Sequence, residues 1–207
     1  MLPLGMDIQN LLIDVQRGSK TQRKTITIID PERLPEFFKA LDIDPDLSDE
    51  AKAFIATALS GGCRVSEVLS LRRADYSLTK KEALVKCLKK KTEKVSKKTG
   101  KVLKINKVYR KFPLHSVAIK YLEIVQKDVR HFGKVFTLDR KQLWLILSLK
   151  FGGHFCPHSL RHSHISERLH KRGENIAKVA DVMQIDFDTV GSYNHTNPKK
   201  VNDGYWD

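Results

Sequence analysis

The spacing of apolar and polar positions changes twice along the chain. Residues 6–16, "MDIQNLLIDVQ", space their apolar side chains as a short amphipathic helix does. The polar, basic stretch "RGSKTQRKT" follows and reads as an arm or linker. "DPERLPEFFKAL" then opens a helix, with Asp30 as cap and Pro31 at the first turn, where a missing N–H costs nothing. "SDEAKAFIATALSGG" predicts a second helix, capped by Ser48 and stopped by Gly61 and Gly62. "CRVSEVLSLRRADYS" starts a third, with Val65, Val68, Leu69 and Leu71 on one side.

Beyond it the helical period gives way to short extended runs, "EALVKCLKK" and "VYRKFPLH". They flank the basic connection "KTEKVSKKTGKVLKINK", with Gly100 near its centre, and together predict a long hairpin or small sheet. Helical patterning returns in "SVAIKYLEIVQKDVR", "RKQLWLILSLKF", "PHSLRHSHISERLHKRG", "NIAKVADVMQI" and "DTVGSYNH". No internal repeat interrupts the series. The expected architecture is mainly α with one small antiparallel β-sheet inserted after the third helix, an α+β fold.

Composition narrows the function. The chain has 207 residues, 41% of them hydrophobic, enough for a real core. A net charge of +14 favours a polyanionic partner, nucleic acid or an acidic membrane surface. The three cysteines, Cys63, Cys87 and Cys156, form no CxxC pair and suit a reducing compartment. The N-terminal stretch lacks the basic region of a secretory signal, and no apolar run reaches the ~20 residues of a membrane span. A soluble intracellular protein is the expectation.

Four groups of residues can carry chemistry. Between Lys86 and Lys111 stand twelve Lys or Arg and one acid, Glu93, a density that a polyphosphate ligand would relieve. Lys89, Lys90, Lys94, Lys97, Lys98 and Lys101 are the candidate DNA contacts, the alternative being a solvated hairpin whose lysines guard its edges. His154, His158 and His162 follow one another at four-residue intervals, yet no carboxylate lies between them as in HExxH, and Pro157 begins the helix after His154; no metal site is expected. His158 and Arg161 share a helix face near an N-terminus that already favours an anion, where an imidazole and a guanidinium fork meet a phosphate together. Arg64 opens a helix with Glu67 three residues on, an arrangement equally common on plain surfaces. "IAKVADVMQIDFDTVGSYNHTNP" reads as a helix-turn-helix with Gln184 where the turn usually carries Gly, as a segment delivering Tyr193 as nucleophile, or as packing.

In order, these pieces resemble the catalytic domain of the tyrosine recombinases, the phage-type integrases and chromosome-dimer resolvases. "GGCRVSEVLSLRRADY" resembles the family's first arginine motif, and "KKKTEK" is similar to its sheet-lysine region. "PHSLRHSHISERLHKRGENIAKVADVM" resembles its HxLRH stretch, and "FDTVGSYNH" the segment that carries the nucleophile. The resemblance covers residues from about 27 to 197. It implies the tyrosine-recombinase catalytic-domain fold, with residues 1–26 an arm or linker, 27–197 the catalytic domain and 198–207 a short tail.

The chemistry that the resemblance implies uses these residues. Tyr193 would attack a phosphodiester of double-stranded DNA, giving a 3′-phosphotyrosyl link and a free 5′-hydroxyl. Arg64 and Arg161 would clamp the non-bridging oxygens as negative charge develops. His158 would take or hold the tyrosine proton, a task for which an imidazole pKa of about 6.5 is suited. Lys91, or else Lys90 or Lys94, would protonate the leaving oxygen, while Glu67 and His162 support the site from behind. No cofactor or metal is implied.

Two departures stand out. The family has His or Trp after its Leu-Gly, where "MQI" (Met183 to Ile185) stands here, and the stretch to Tyr193 is one residue short; Gln184 is the candidate substitute donor. The residues before position 27 are also too few for the family's N-terminal helical domain, which implies a catalytic fragment or a minimal form. Assembly is expected as a tetramer on DNA and a monomer alone, without membrane contact, in the cytoplasm in association with DNA, or in the host cytoplasm where a virus or mobile element encodes it. A type IB topoisomerase and a non-catalytic regulator using the helix-turn-helix are the rival readings.

Overall fold

The helix between Ser48 and Gly62, α2 (Asp49–Gly61), is apolar nearly all round, and such a helix belongs inside a core. In the computed structural model, which describes residues 8–17, 24–95, 102–191 and 193, it lies there. Ser48 Oγ accepts from the Ala51 N–H at 3.2 Å, and Gly62 closes the helix in the left-handed conformation at φ +56°. Around α2 pack α1 (Leu34–Ile43), α3 (Val65–Leu69), α4 (Ser116–Val125) and α6 (Pro157–Ser166), with α4 and α6 in closest contact. α5 (Arg140–Phe151) inserts Leu143, Leu147 and Phe151 into the same core. A π-helical turn, Glu167–Lys171, continues α6 and leads to α7 (Ile176–Met183) and α8 (Phe187–Gly191).

The expected sheet stands after α3. β3 (Tyr76–Ser77), β4 (Glu82–Val95) and β5 (Val102–Pro113) are antiparallel in that order. Ala83, Val85 and Cys87 face the core, while the residues between them face outward, the two-residue period of a one-sided sheet. Cys87 pairs with Val108 but Lys91 with Lys107, so β4 carries extra residues and bulges just before Lys91.

The N-terminal expectation is overturned. The described part of this segment, residues 8–16, is no α-helix: a 3₁₀ turn, Ile8–Leu11, leads into β1 (Leu12–Arg17), which pairs antiparallel with β2 (Lys24–Ile29) as a second sheet. Ile8, Leu11 and Val15 are buried at a spacing that also suits a helix, which is why the pattern misleads; strand pairing with "TITII" decides it. Ile8, Leu11 and Ile29 join the main core, so the described part of residues 1–26 is packed on the domain. The Ile29 N–H donates to Ser163 Oγ at 2.9 Å, bracing α6.

A second, smaller cluster stands apart from the main core. Ile165, Leu169, Val179, Ala180, Met183, Ile185, Val190 and Tyr193 form it, on α6, α7, α8 and the turns between them. Among the described residues no helix is long and apolar enough to cross a membrane, and no group of three His, Cys, Asp or Glu is arranged to hold a metal.

Candidate active site

The turn that ends α2 and begins α3 is built from two glycines for two different steric reasons. A Cβ at Gly61 would lie 2.5 Å from the Phe112 ring of β5. A Cβ at Gly62 would lie 2.5 Å from Met183 Cε and 2.6 Å from His164 Cδ2, in a left-handed conformation that already favours glycine. The chain leaves this turn through Arg64, the N-terminal cap of α3. Glu67, 1% exposed, accepts the Arg64 backbone N–H at 2.8 Å with one oxygen and its Nη1 at 2.9 Å with the other. A short helix thereby fixes both ends of the arginine with one carboxylate, and leaves its side chain 22% open to solvent.

Arg161 reaches the same turn from α6. Pro157 opens that helix, as its N-terminal position favours. Arg161 is 2% exposed and donates from Nη1 to the Gly62 carbonyl at 2.5 Å; its buried Nη2 has no hydrogen-bond partner among the described residues. Burial lowers its pKa from the ordinary arginine value, and Arg64 pushes the same way, while Glu67 and Tyr193 oppose. It remains a cation at neutral pH. Two guanidiniums from segments nearly a hundred residues apart thus act on one locality, and the Tyr193 phenol acts on it too.

His158 is exposed one turn before Arg161. Its ring lies edge-on to His162 at 4.6 Å between centroids, and His162, buried, lies 4.7 Å from the Tyr193 ring. His162, named as a supporting residue, is therefore the imidazole next to the phenol, with His158 beyond it. Tyr193 is 6% exposed, its ring within the small apolar cluster and its N–H bonded to the Val190 carbonyl at 2.9 Å. Gln184 ends α7 in the left-handed conformation, and its carboxamide donates to the Asp181 carbonyl at 2.8 Å, closing its own helix. Ile185 is buried in the Tyr193 cluster.

The lysines divide by position. Lys91 lies on β4 opposite Lys107, just past the bulge, and Lys89, Lys90 and Lys94 stand on the same strand. Their side chains, and Lys97, Lys98 and Lys101 entirely, lie outside the described part, as do residues 198–207.

Two buried groups escaped the sequence reading. Arg110 of β5 donates from Nη1 to the Gly61 carbonyl at 2.5 Å and from Nη2 to Cys63 Sγ at 3.3 Å. His164 is buried against Gly62 and hydrogen-bonds the Leu59 carbonyl; burial, reinforced by Arg168 and Arg110, drops its pKa to about 3. Arg110 was hidden among twelve cations that all looked solvated. Its placement between Val108 and Phe112, at positions that alternate inward on a half-buried strand, was the available signal.

A sequence profile of the phage integrase family matches residues 27–200. No curated protein sequence matches the chain. Among solved structures, the Tn1549 transposon integrase in complex with transposon right end DNA aligns at a TM-score of 0.59 and 14% identity, over 84% of this chain and 62% of that one. XerA recombinase aligns at 0.59 and 17% identity, over 84% of this chain and 60% of its own. XerH site-specific recombinase bound to palindromic difH aligns at 0.61 and 18% identity, over 84% and 50%. The chain therefore spans between half and two thirds of these neighbours' lengths, with the same fold.

Proposed function

The chain belongs to the phage integrase family, and we propose that it cleaves and rejoins double-stranded DNA with Tyr193 as nucleophile. The observation that carries this reading is convergence: Arg64 and Tyr193, distant in sequence, both act electrostatically on the buried Arg161, which binds the Gly62 carbonyl of the turn that leads to Arg64. A surface that merely attracted DNA would have no use for a buried guanidinium with an unfilled donor, because burial costs that cation its hydration.

In this reading the phenolic oxygen of Tyr193 bonds to phosphorus, and the bond from phosphorus to the 5′ oxygen breaks. Arg64, oriented by Glu67, and the open Nη2 of Arg161 neutralise charge on the non-bridging oxygens. The tyrosine proton leaves by way of His162 and the exposed His158, and Lys91 at the hairpin bulge protonates the departing oxygen. Gln184, engaged with Asp181, closes α7, and the position after it carries apolar Ile185. The basic hairpin tip, with Lys89, Lys90, Lys94, Lys97, Lys98 and Lys101, supplies backbone contacts to DNA. Four copies assembled on DNA, serving a mobile element inside its host cell, complete the picture, with residues 27–197 as the catalytic unit.

The test is a pool of nicked duplexes with randomised flanks, incubated with the protein and denatured in SDS. An adduct that resists SDS and disappears in Tyr193→Phe is expected, and sequencing its DNA returns the site. Binding without any adduct would instead mark a regulator, a reading favoured by the burial of Tyr193 and by Ile185 standing beside it.

A further inference from the structure

Arg110 belongs to none of the family motifs read above, yet it is the second guanidinium inserted beneath the Arg64 turn. It is 5% exposed, too deep to touch DNA. One head group reaches three elements of the site: the Gly61 carbonyl at 2.5 Å, Cys63 Sγ at 3.3 Å and Glu67 Oε2 at 4.0 Å. Glu67 therefore sits between two arginines, one oxygen on the Arg64 guanidinium and the other shared between the Arg64 N–H and Arg110. The turn is held from both sides, with Arg161 on Gly62 and Arg110 on Gly61. These carbonyls belong to the end of α2, where the helix dipole is negative and cations are favoured.

Arg110 also ties this turn to the hairpin. It pairs in register with Val85 on β4, the strand that runs on to the bulge and Lys91. Two residues along β5, Phe112 stacks under the Arg110 head, at 5.4 Å, and fills the space that makes Gly61 a glycine. An aliphatic side chain would serve the strand's packing equally well. Only a planar fork can give one donor to a carbonyl and another to a sulfur while facing a carboxylate.

We propose that Arg110 is a positioning residue for DNA cleavage: it sets the Glu67 carboxylate, and through it the Arg64 guanidinium, at the scissile phosphate, and locks the lysine-bearing hairpin to that clamp. The assignment rests on the cleavage reading above. Its effect falls on charge stabilisation, because Arg64 meets the oxygens on which charge builds.

The experiment uses the full chain as wild type, Arg110→Met and Arg110→Lys, with the duplex recovered from the adduct pool. Cleavage is timed at saturating DNA on an ordinary scissile phosphate and on a methylphosphonate, whose neutral linkage needs less cationic help. Arg110→Met should slow cleavage of the ordinary linkage about a hundredfold, the scale of an ångström's misplacement. On the methylphosphonate the loss should shrink below about tenfold, because less charge develops there. Arg110→Lys should fall between, keeping the charge and one of two hydrogen bonds, while DNA affinity stays within about threefold for all. Equal losses on both linkages, or none, would overturn the proposal. In the DNA-free protein, the NMR signal of the Arg64 Nη1 hydrogens, which Glu67 holds, should move to the position of a solvated arginine in Arg110→Met. If it stays put, the proposal fails whatever the activity; if wild type forms no adduct, it is the cleavage reading that falls instead.

Discussion

Two of the turns that end a helix on a left-handed residue, at Gly62 and at Gln184, are held in opposite ways. Gly62 is crowded by Met183 and His164, and the carbonyls around it receive donors from His164, Arg110 and Arg161. Gln184 is half-exposed, carries a side chain at φ +51°, and is closed by its own carboxamide on Asp181. A side chain in that conformation costs about 1–2 kcal/mol, which the crowded turn avoids with glycine and the open one offsets with a local hydrogen bond. The first turn carries Arg64 and backs onto the main core; the second leads to Tyr193 and backs onto a cluster of eight residues. The two arginine-bound carbonyls stand on the side with the larger core, and Tyr193, the proposed nucleophile, stands on the side with less burial, which is expected to open more readily.

Removing a charge on the rigid side should do the most damage. Arg161→Ala is expected to reduce cleavage by about a thousandfold, the scale for losing donors to a developing oxyanion. Affinity for DNA should fall far less, since in the proposed reading the hairpin lysines supply most of it; parallel losses in filter binding and adduct formation would make Arg161 a binding residue and dissolve the contrast. Val190→Ala probes the other side. Deleting two buried methyl-equivalents costs roughly 1.5 kcal/mol. Hydrogen exchange of α7 and α8 amides should quicken about tenfold while α2 amides keep their rates. Uniform acceleration would mean that the two clusters open as one.

A third effect is one of pH. His164 in the unfolded chain takes a proton near pH 6.5, and in the folded chain only near 3, because burial and the neighbouring arginines resist a further cation. Acid therefore favours the unfolded state. The contribution is intact above about pH 6.5 and is lost at about 1 kcal/mol per pH unit toward pH 3. His164→Gln, which keeps a donor for the Leu59 carbonyl, should flatten the fall in Tm between pH 6.5 and 4.5 relative to wild type. Superimposable melting profiles would place the acid sensitivity in the carboxylates instead.

Much of this arrangement was legible along the chain. Caps and stops marked α2 and the 3₁₀ turn, Pro31–Arg33, that leads into α1, because Asp30, Ser48 and Gly62 act on neighbours a few residues away. The Arg64–Glu67 pair lies within one helical turn, so spacing allowed its hydrogen bond without distinguishing it from a plain surface pair. The segment before residue 17 was misread because Ile8, Leu11 and Val15 suit a helix as well as they suit a turn and strand. Pairing with β2, a dozen residues on, chose between them. Arg110 was invisible for a related reason: twelve cations on one hairpin look alike until one of them is turned inward.

Local hydrogen bonding, side-chain periodicity and residue chemistry are written in the order of amino acids, and they determined the helices, the hairpin and the cationic character of this protein. Which imidazole lies against Tyr193, which arginines bind the Gly61–Gly62 carbonyls, and why those two positions tolerate no Cβ were decided only when α2, α6, α7 and β5 packed together. Burial and charge act through space, so a guanidinium acquires its partners from the fold, and one that is solvated in sequence terms becomes structural once a helix end closes over it.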